Sequence, residues 1–295
     1  MSFLAVPLVA VVVWAGLRAV GGTSLEAAER RAGLVGQLRF AVTLQDLRTV
    51  VLLRRQLAQE HARNRPWVRL GRGRVAERLP VLWRSAQGIV RFPAVRVVRM
   101  VVLGVVAGLA MRGVWSGTTP LLVVAGLAVF VAALDAIEPL SQEVDRPDRW
   151  ASFPRRDGHT LLRHLIAPAL TMVVVGAVGV GVAALAGPSL LAVEIGLAVV
   201  PGVALAAVAG AAGSVVMGPP DTLLRVQMPE AAGASMVIRA VWPPGLVVLA
   251  LAPVVAARAT TSGSPLAAAA GTEVLVLVPS GIVLAWLSTR KARLR

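Results

Sequence analysis

The chain has no cysteine and no tyrosine, and Lys291 is the one lysine among its 30 basic residues. Without cysteine there is no disulfide, no iron–sulfur cluster and no Cys-ligated zinc. No G-x-x-x-x-G-K-[ST] loop occurs, so no ATPase activity of its own is expected. No G-x-S-x-G element or Ser/His/Asp set appears either. His159 and His164, with Asp157, lack the H-E-x-x-H spacing of a metal helix and read as facing a basic loop. Acidic residues number 15 against 30 basic ones, a net charge of +15. The basic residues are almost all arginine, in a chain rich in Ala, Val and Gly, as a GC-rich coding sequence would give. The charge is therefore read as serving topology and anionic headgroups, with no nucleic-acid partner.

What the chain has in abundance is long apolar runs. They lie at residues 3–20, 100–116, 119–137, 165–187, 189–218, 243–259 and 265–287. Crossing the hydrocarbon takes about 20 apolar residues. The expected fold is therefore all-α: a polytopic membrane bundle of about seven transmembrane helices plus an amphipathic interfacial helix. If alternate loops share a side, 18–99, 139–164, 219–242 and 289–295 together hold 28 of the 30 basic residues. The exceptions are Arg112 and Arg258. The positive-inside rule then places the N-terminus outside and the C-terminus in the cytoplasm of a cell whose plasma membrane the chain crosses. The first charged residue, Arg18, follows the first apolar run, so residues 1–20 read as a retained span and not as a cleaved leader.

Between the first and second runs lies a basic cytoplasmic or interfacial region, 21–98. Within it, 36–57 has Leu44, Leu47 and Val51 at helical spacing with arginines on other faces. Such a segment can lie in the membrane interface, or pack within a small cytoplasmic domain. Residues 58–99, with Pro66, Pro80 and Pro93, read as irregular or short-helical. The rest divides into a six-helix transmembrane domain, 99–289, and a basic tail, 290–295.

An amphipathic helix followed by six spans, with a cytoplasmic loop between the second and third of them, is similar to the permease subunit of actinobacterial ABC-2-type exporters. Two stretches carry the resemblance: Leu38-Arg39-Phe40-Ala41-Val42-Thr43-Leu44-Gln45-Asp46-Leu47-Arg48, and Leu134-Asp135-Ala136-Ile137-Glu138-Pro139-Leu140-Ser141-Gln142-Glu143-Val144-Asp145. The extra first span, the long 58–99 insertion and the short 259–264 connection depart from the pattern. The resemblance implies an export permease for a hydrophobic or amphipathic substrate. ATP would be used only through a separate ATPase subunit, and the chain would pair with itself or with another permease half. It also makes 139–164 a coupling-like loop, in which Glu143, Asp145, Trp150 and Phe153 are the candidate contacts to the ATPase.

Ionisable residues within spans are costly and mark the other places to look. Asp135 and Glu138 stand one turn apart at one span end, Glu194 lies near the other side, and Glu273 lies deeper. They could form a proton or cation relay, or pair with Arg112 and Arg258. Asp135, Glu138, Glu143, Asp145 and Asp148 could alternatively hold Mg²⁺ in a lipid-linked transferase. The second reading from another class is a non-transporting membrane anchor or assembly protein that recruits a cytosolic partner through its arginine-rich region.

Overall fold

Uncharged Ala/Val/Leu/Gly runs in lipid must satisfy every backbone polar group internally, and the helix does so within one segment. A computed structural model of the chain describes residues 66–71, 74–144, 158–187, 189–217, 229–261 and 263–289. Among these there is no strand. Ten helices follow in order: α1 (Arg74–Arg78), α2 (Pro80–Val90), α3 (Ala94–Trp115), α4 (Leu121–Ala136), α5 (Glu138–Val144), α6 (Gly158–Ala186), α7 (Leu190–Met217), α8 (Pro229–Ala250), α9 (Ala252–Ala259) and α10 (Pro265–Thr289).

Five helical stretches are long and apolar enough to cross a membrane, and a sixth if α4 and α5 count together. The seventh expected span, 3–20, lies outside the described residues, as does the expected interfacial helix 36–57 with Leu44, Leu47 and Val51. Large apolar side chains stand exposed on the outer faces of these helices, Val95, Leu170, Val174, Leu275 and Ile282 among them. So much exposed apolar surface suits hydrocarbon and not water. The chain is a multi-pass helical membrane protein.

The helix boundaries correct the sequence reading. α3 begins at Ala94 and not near Met100, and α6 at Gly158 and not near Leu165. The helix runs on through Arg96, Arg99, Arg163 and His164, which the sequence reading had placed in loops. α4 has only 16 residues and meets α5 at a 56° bend. Pro139 causes the bend: it has no N–H for the Asp135 carbonyl one turn back, and its ring crowds that carbonyl. Pro168, Pro201 and Pro279 lie inside continuous helices. The last two-part span breaks at Leu251, just before Pro253.

The helices alternate in direction, which gathers their termini at two ends. Gly88, Pro139, Gly158 and Ser288 meet at one, the charged end. Arg112 meets Gly187, and Gly117 meets Arg258, at the other, the cleft end. The α3–α4 turn at the cleft end is a Schellman motif. Gly117 N–H bonds to Val114 O at 3.1 Å and Thr118 N–H to Gly113 O at 2.9 Å. Gly117 has φ 120°, a conformation that requires glycine.

α7 is the central helix. It packs on α4, α6, α8 and α10, and its buried residues are nearly all Ala, Gly and Val. Small residues let backbones approach, and contact over short distances replaces the hydrophobic drive that lipid does not supply. α3 and α6 approach closely where Gly104 and Gly108 face Gly179 and Val175, and a Cβ on Gly108 would meet the Gly179 backbone. Several hydroxyls within the spans bond to their own helices, as Thr171 does to Ala167 O at 3.0 Å and Thr272 to Ala268 O at 2.8 Å.

Candidate functional site: a charged end and an apolar cleft

At the charged end, α3 and α4 place opposite charges side by side. Arg99 grips Asp135 with both arms of its guanidinium, Nε lying 2.6 Å from Oδ2 and the second nitrogen bonding Oδ1. Arg96 lies 3.9 Å from Asp135 and 4.0 Å from Glu138, with its guanidinium 5.0 Å above the Phe92 ring. Both carboxylates are buried. The sequence reading offered Arg112 and Arg258 as their partners. The helix bookkeeping shows why that fails: those arginines sit at the far end of the bundle. Moving the start of α3 back by six residues supplies Arg96 and Arg99 instead.

A second layer ties α2 to this cluster. α2 begins with Pro80 at its first turn, where a missing N–H costs nothing, and is amphipathic over its 11 residues. Arg84 bonds Glu143 of α5 at 2.9 Å. Ser85 Oγ lies 2.6 Å from His164 Nδ1 of α6, and both residues are buried. Residues 66–71 lie against the α2–α3 turn, with Trp67 Nε1 donating to Phe92 O at 2.7 Å. Thus α2 is an amphipathic helix directly before the first described span, in a stretch expected to be irregular or short-helical. His164, expected to face a basic loop, is instead a buried link between α2 and α6. The signal was present: Leu161, Leu165, Pro168, Met172 and Val175 repeat along one buried stripe, and His164 falls on it.

Of the coupling-loop candidates, Glu143 faces inward, buried and paired with Arg84. Asp145, Trp150 and Phe153 lie outside the described residues. Glu138 and Glu143 spend their charge on arginines of the same chain, and no metal-holding group of acids or histidines is found among the described residues. Glu194 is exposed on α7, and among the described residues no ion pair joins it to Arg112 or Arg258. Glu273, half-buried on α10, lays its carboxylate against Gly202 of α7, which has no side chain in the way.

The cleft opens between α3, α6, α7 and α9 and offers about 920 Å³ of space, the open solvent at its mouth included. Its wall is Gly, Ala, Val, Met and Leu, from Gly104 and Met172 at depth to Trp115, Gly187 and Ser189 at the rim. Arg112 is the one charged residue among those lining it. Gly104 and Gly108, like Gly176, Gly179 and Gly181, recur at spacings that suit close helix packing. Gly104, Gly108 and Gly179 do pack, and together with Gly176 they also line the cleft, a double use that only the third dimension reveals.

The fold and these two features define the class, a multi-pass helical membrane protein with a charge-locked end and an apolar cleft. Comparison with known proteins finds no match to a protein-family model, a curated protein or a solved structure.

Proposed function

We propose that this chain is the membrane-spanning permease subunit of an exporter driven by a separate ATPase chain, moving a hydrophobic or amphipathic substrate across the plasma membrane. One observation carries the reading. α3 and α6 wall the cleft, and at their other ends the same two helices are fixed to α2, α4 and α5 by Arg96, Arg99 and His164. A push on α2 or α5 is thereby delivered to the walls of the cleft. The 145–157 connection, between α5 and α6, is where an ATPase would push. The positive-inside rule supports a cytoplasmic charged end and C-terminus, with the N-terminus outside if 3–20 is a span. Pairing with a second permease half, or a second copy, completes the expected assembly.

Affinity purification of the tagged chain in mild detergent tests the reading. An ATPase should co-purify, and its hydrolysis should depend on this subunit. Trp150→Ala or Phe153→Ala should uncouple hydrolysis from efflux at equal membrane levels. Retrieval of a cytosolic protein without ATPase activity, through the 18–99 region, would favour the anchor reading instead.

A further inference from the structure

Arg112 is out of place in an apolar wall. It projects from the last turn of α3, and its guanidinium lies on Gly187, just past the C-terminus of α6. The helix end attracts a cation there. Yet among the described residues no hydrogen bond or ion pair engages the guanidinium, and no acid lines the cleft. A planar fork of free donors at a site of low polarity fits a carboxylate or phosphate, which it can hold by two parallel bonds. Ser189, also at the rim, caps α7 by accepting from the Ala192 N–H at 3.3 Å, so the positive end of a second helix opens on the same place. Below Arg112 the cleft runs apolar to Gly104, about 12 Å at the helical rise of 1.5 Å per residue.

We infer that the cleft binds a single-chain anionic amphiphile, its tail along the α3–α6–α7 wall and its head on Arg112. The reading of the cleft as a transport site rests on the exporter proposal; the binding itself does not. Charge complementarity selects the head, and depth with near-zero polarity selects the tail.

Purified full-length protein in nonionic detergent would be titrated with radiolabelled hexadecyl phosphate and, in parallel, with hexadecanol. Hexadecyl phosphate should saturate one site. Arg112→Gln should weaken it at least about tenfold, the loss of a charge-assisted pair, while Arg112→Lys retains part of the affinity. Hexadecanol should not respond to Arg112→Gln. Ala184→Phe, on the half-buried wall, should block both ligands; if it does not elute as wild type on gel filtration, Ala183→Leu serves on the same wall. Unchanged hexadecyl phosphate binding in Arg112→Gln and in the blocked variant would overturn the site. Equal displacement by a two-chain phosphatidylglycerol would assign the groove to bilayer lipid and overturn the single-chain ligand. No ATPase is needed for the assay, so absent binding with intact ATPase stimulation refutes the ligand alone. Binding, together with failure of any ATPase to co-purify with the chain, refutes only the exporter.

Discussion

Replacing Asp135 with asparagine tests what holds the charged end together. The change keeps the volume and removes the charge. Arg99 loses a bidentate partner, and Arg96 keeps only Glu138, at 4.0 Å. Removing one partner of a fully buried ion pair costs about 3–5 kcal/mol, whereas an exposed pair is worth about 0–1. Asp135 is 7% exposed at its side chain but Arg99 is 46% exposed and rehydrates when released. The expected loss lies between the limits, about 2 kcal/mol, or about thirtyfold in the folded-to-unfolded ratio. Equilibrium unfolding in mixed micelles, followed by circular dichroism, measures it. Glu138→Gln, which loosens only the longer contact to Arg96, should cost less than about 1 kcal/mol. The double-mutant cycle of Asp135→Asn with Arg99→Gln should return a coupling of about 0.5–3 kcal/mol. A loss for Asp135→Asn within about 0.5 kcal/mol, the ordinary range of a surface change, with no coupling, would mean that apolar packing alone holds this end.

Ser85→Ala leaves the buried His164 Nδ1 without its hydroxyl and should cost about 1–3 kcal/mol; limited proteolysis near residue 71 should speed up as α2 loosens, and an unchanged rate would detach α2 from this role. Gly108→Ala should force α3 and α6 apart at a cost of about 1–3 kcal/mol. Gly181→Ala, which meets nothing within 4 Å, should gain about 0.5–1 kcal/mol, and equal effects would dismiss the close approach. Cysteines at Ser116 and Ser264 should label with an impermeant thiol reagent in intact cells, and those at Gln142 and Thr289 should not; the reverse pattern would invert the topology. Gly117 and Gly263 are unsuitable sites, because φ of 120° and 104° strains any other residue.

The six apolar stretches of the transmembrane domain could be read from hydropathy, because lipid leaves the backbone little choice. Their ends could not. Arg96, Arg99 and Arg163 count as loop charges in one dimension, but a helix keeps them when carboxylates lie opposite or the heads reach polar surroundings. The bounds of α2 were not legible, because Pro80 counted among the prolines of an irregular or short-helical stretch, although proline is at home in a first turn. Asp135 and Glu138 were picked out correctly as a pair at a span end, with the wrong partners. The cleft was beyond sequence reading, since its wall joins residues from α3, α6, α7 and α9 that share no local pattern.

α3 also carries a message for the surrounding bilayer. From Arg99 to Arg112 the helix rises only about 20 Å, against about 30 Å of hydrocarbon. Arg99 is held on Asp135 and Arg112 on Gly187, so neither is free to stretch far toward the headgroups, and a bilayer that keeps both at its polar edges would have to thin beside this helix. Bilayers of shorter acyl chains should relieve the mismatch and raise its stability, and thick ones should lower it.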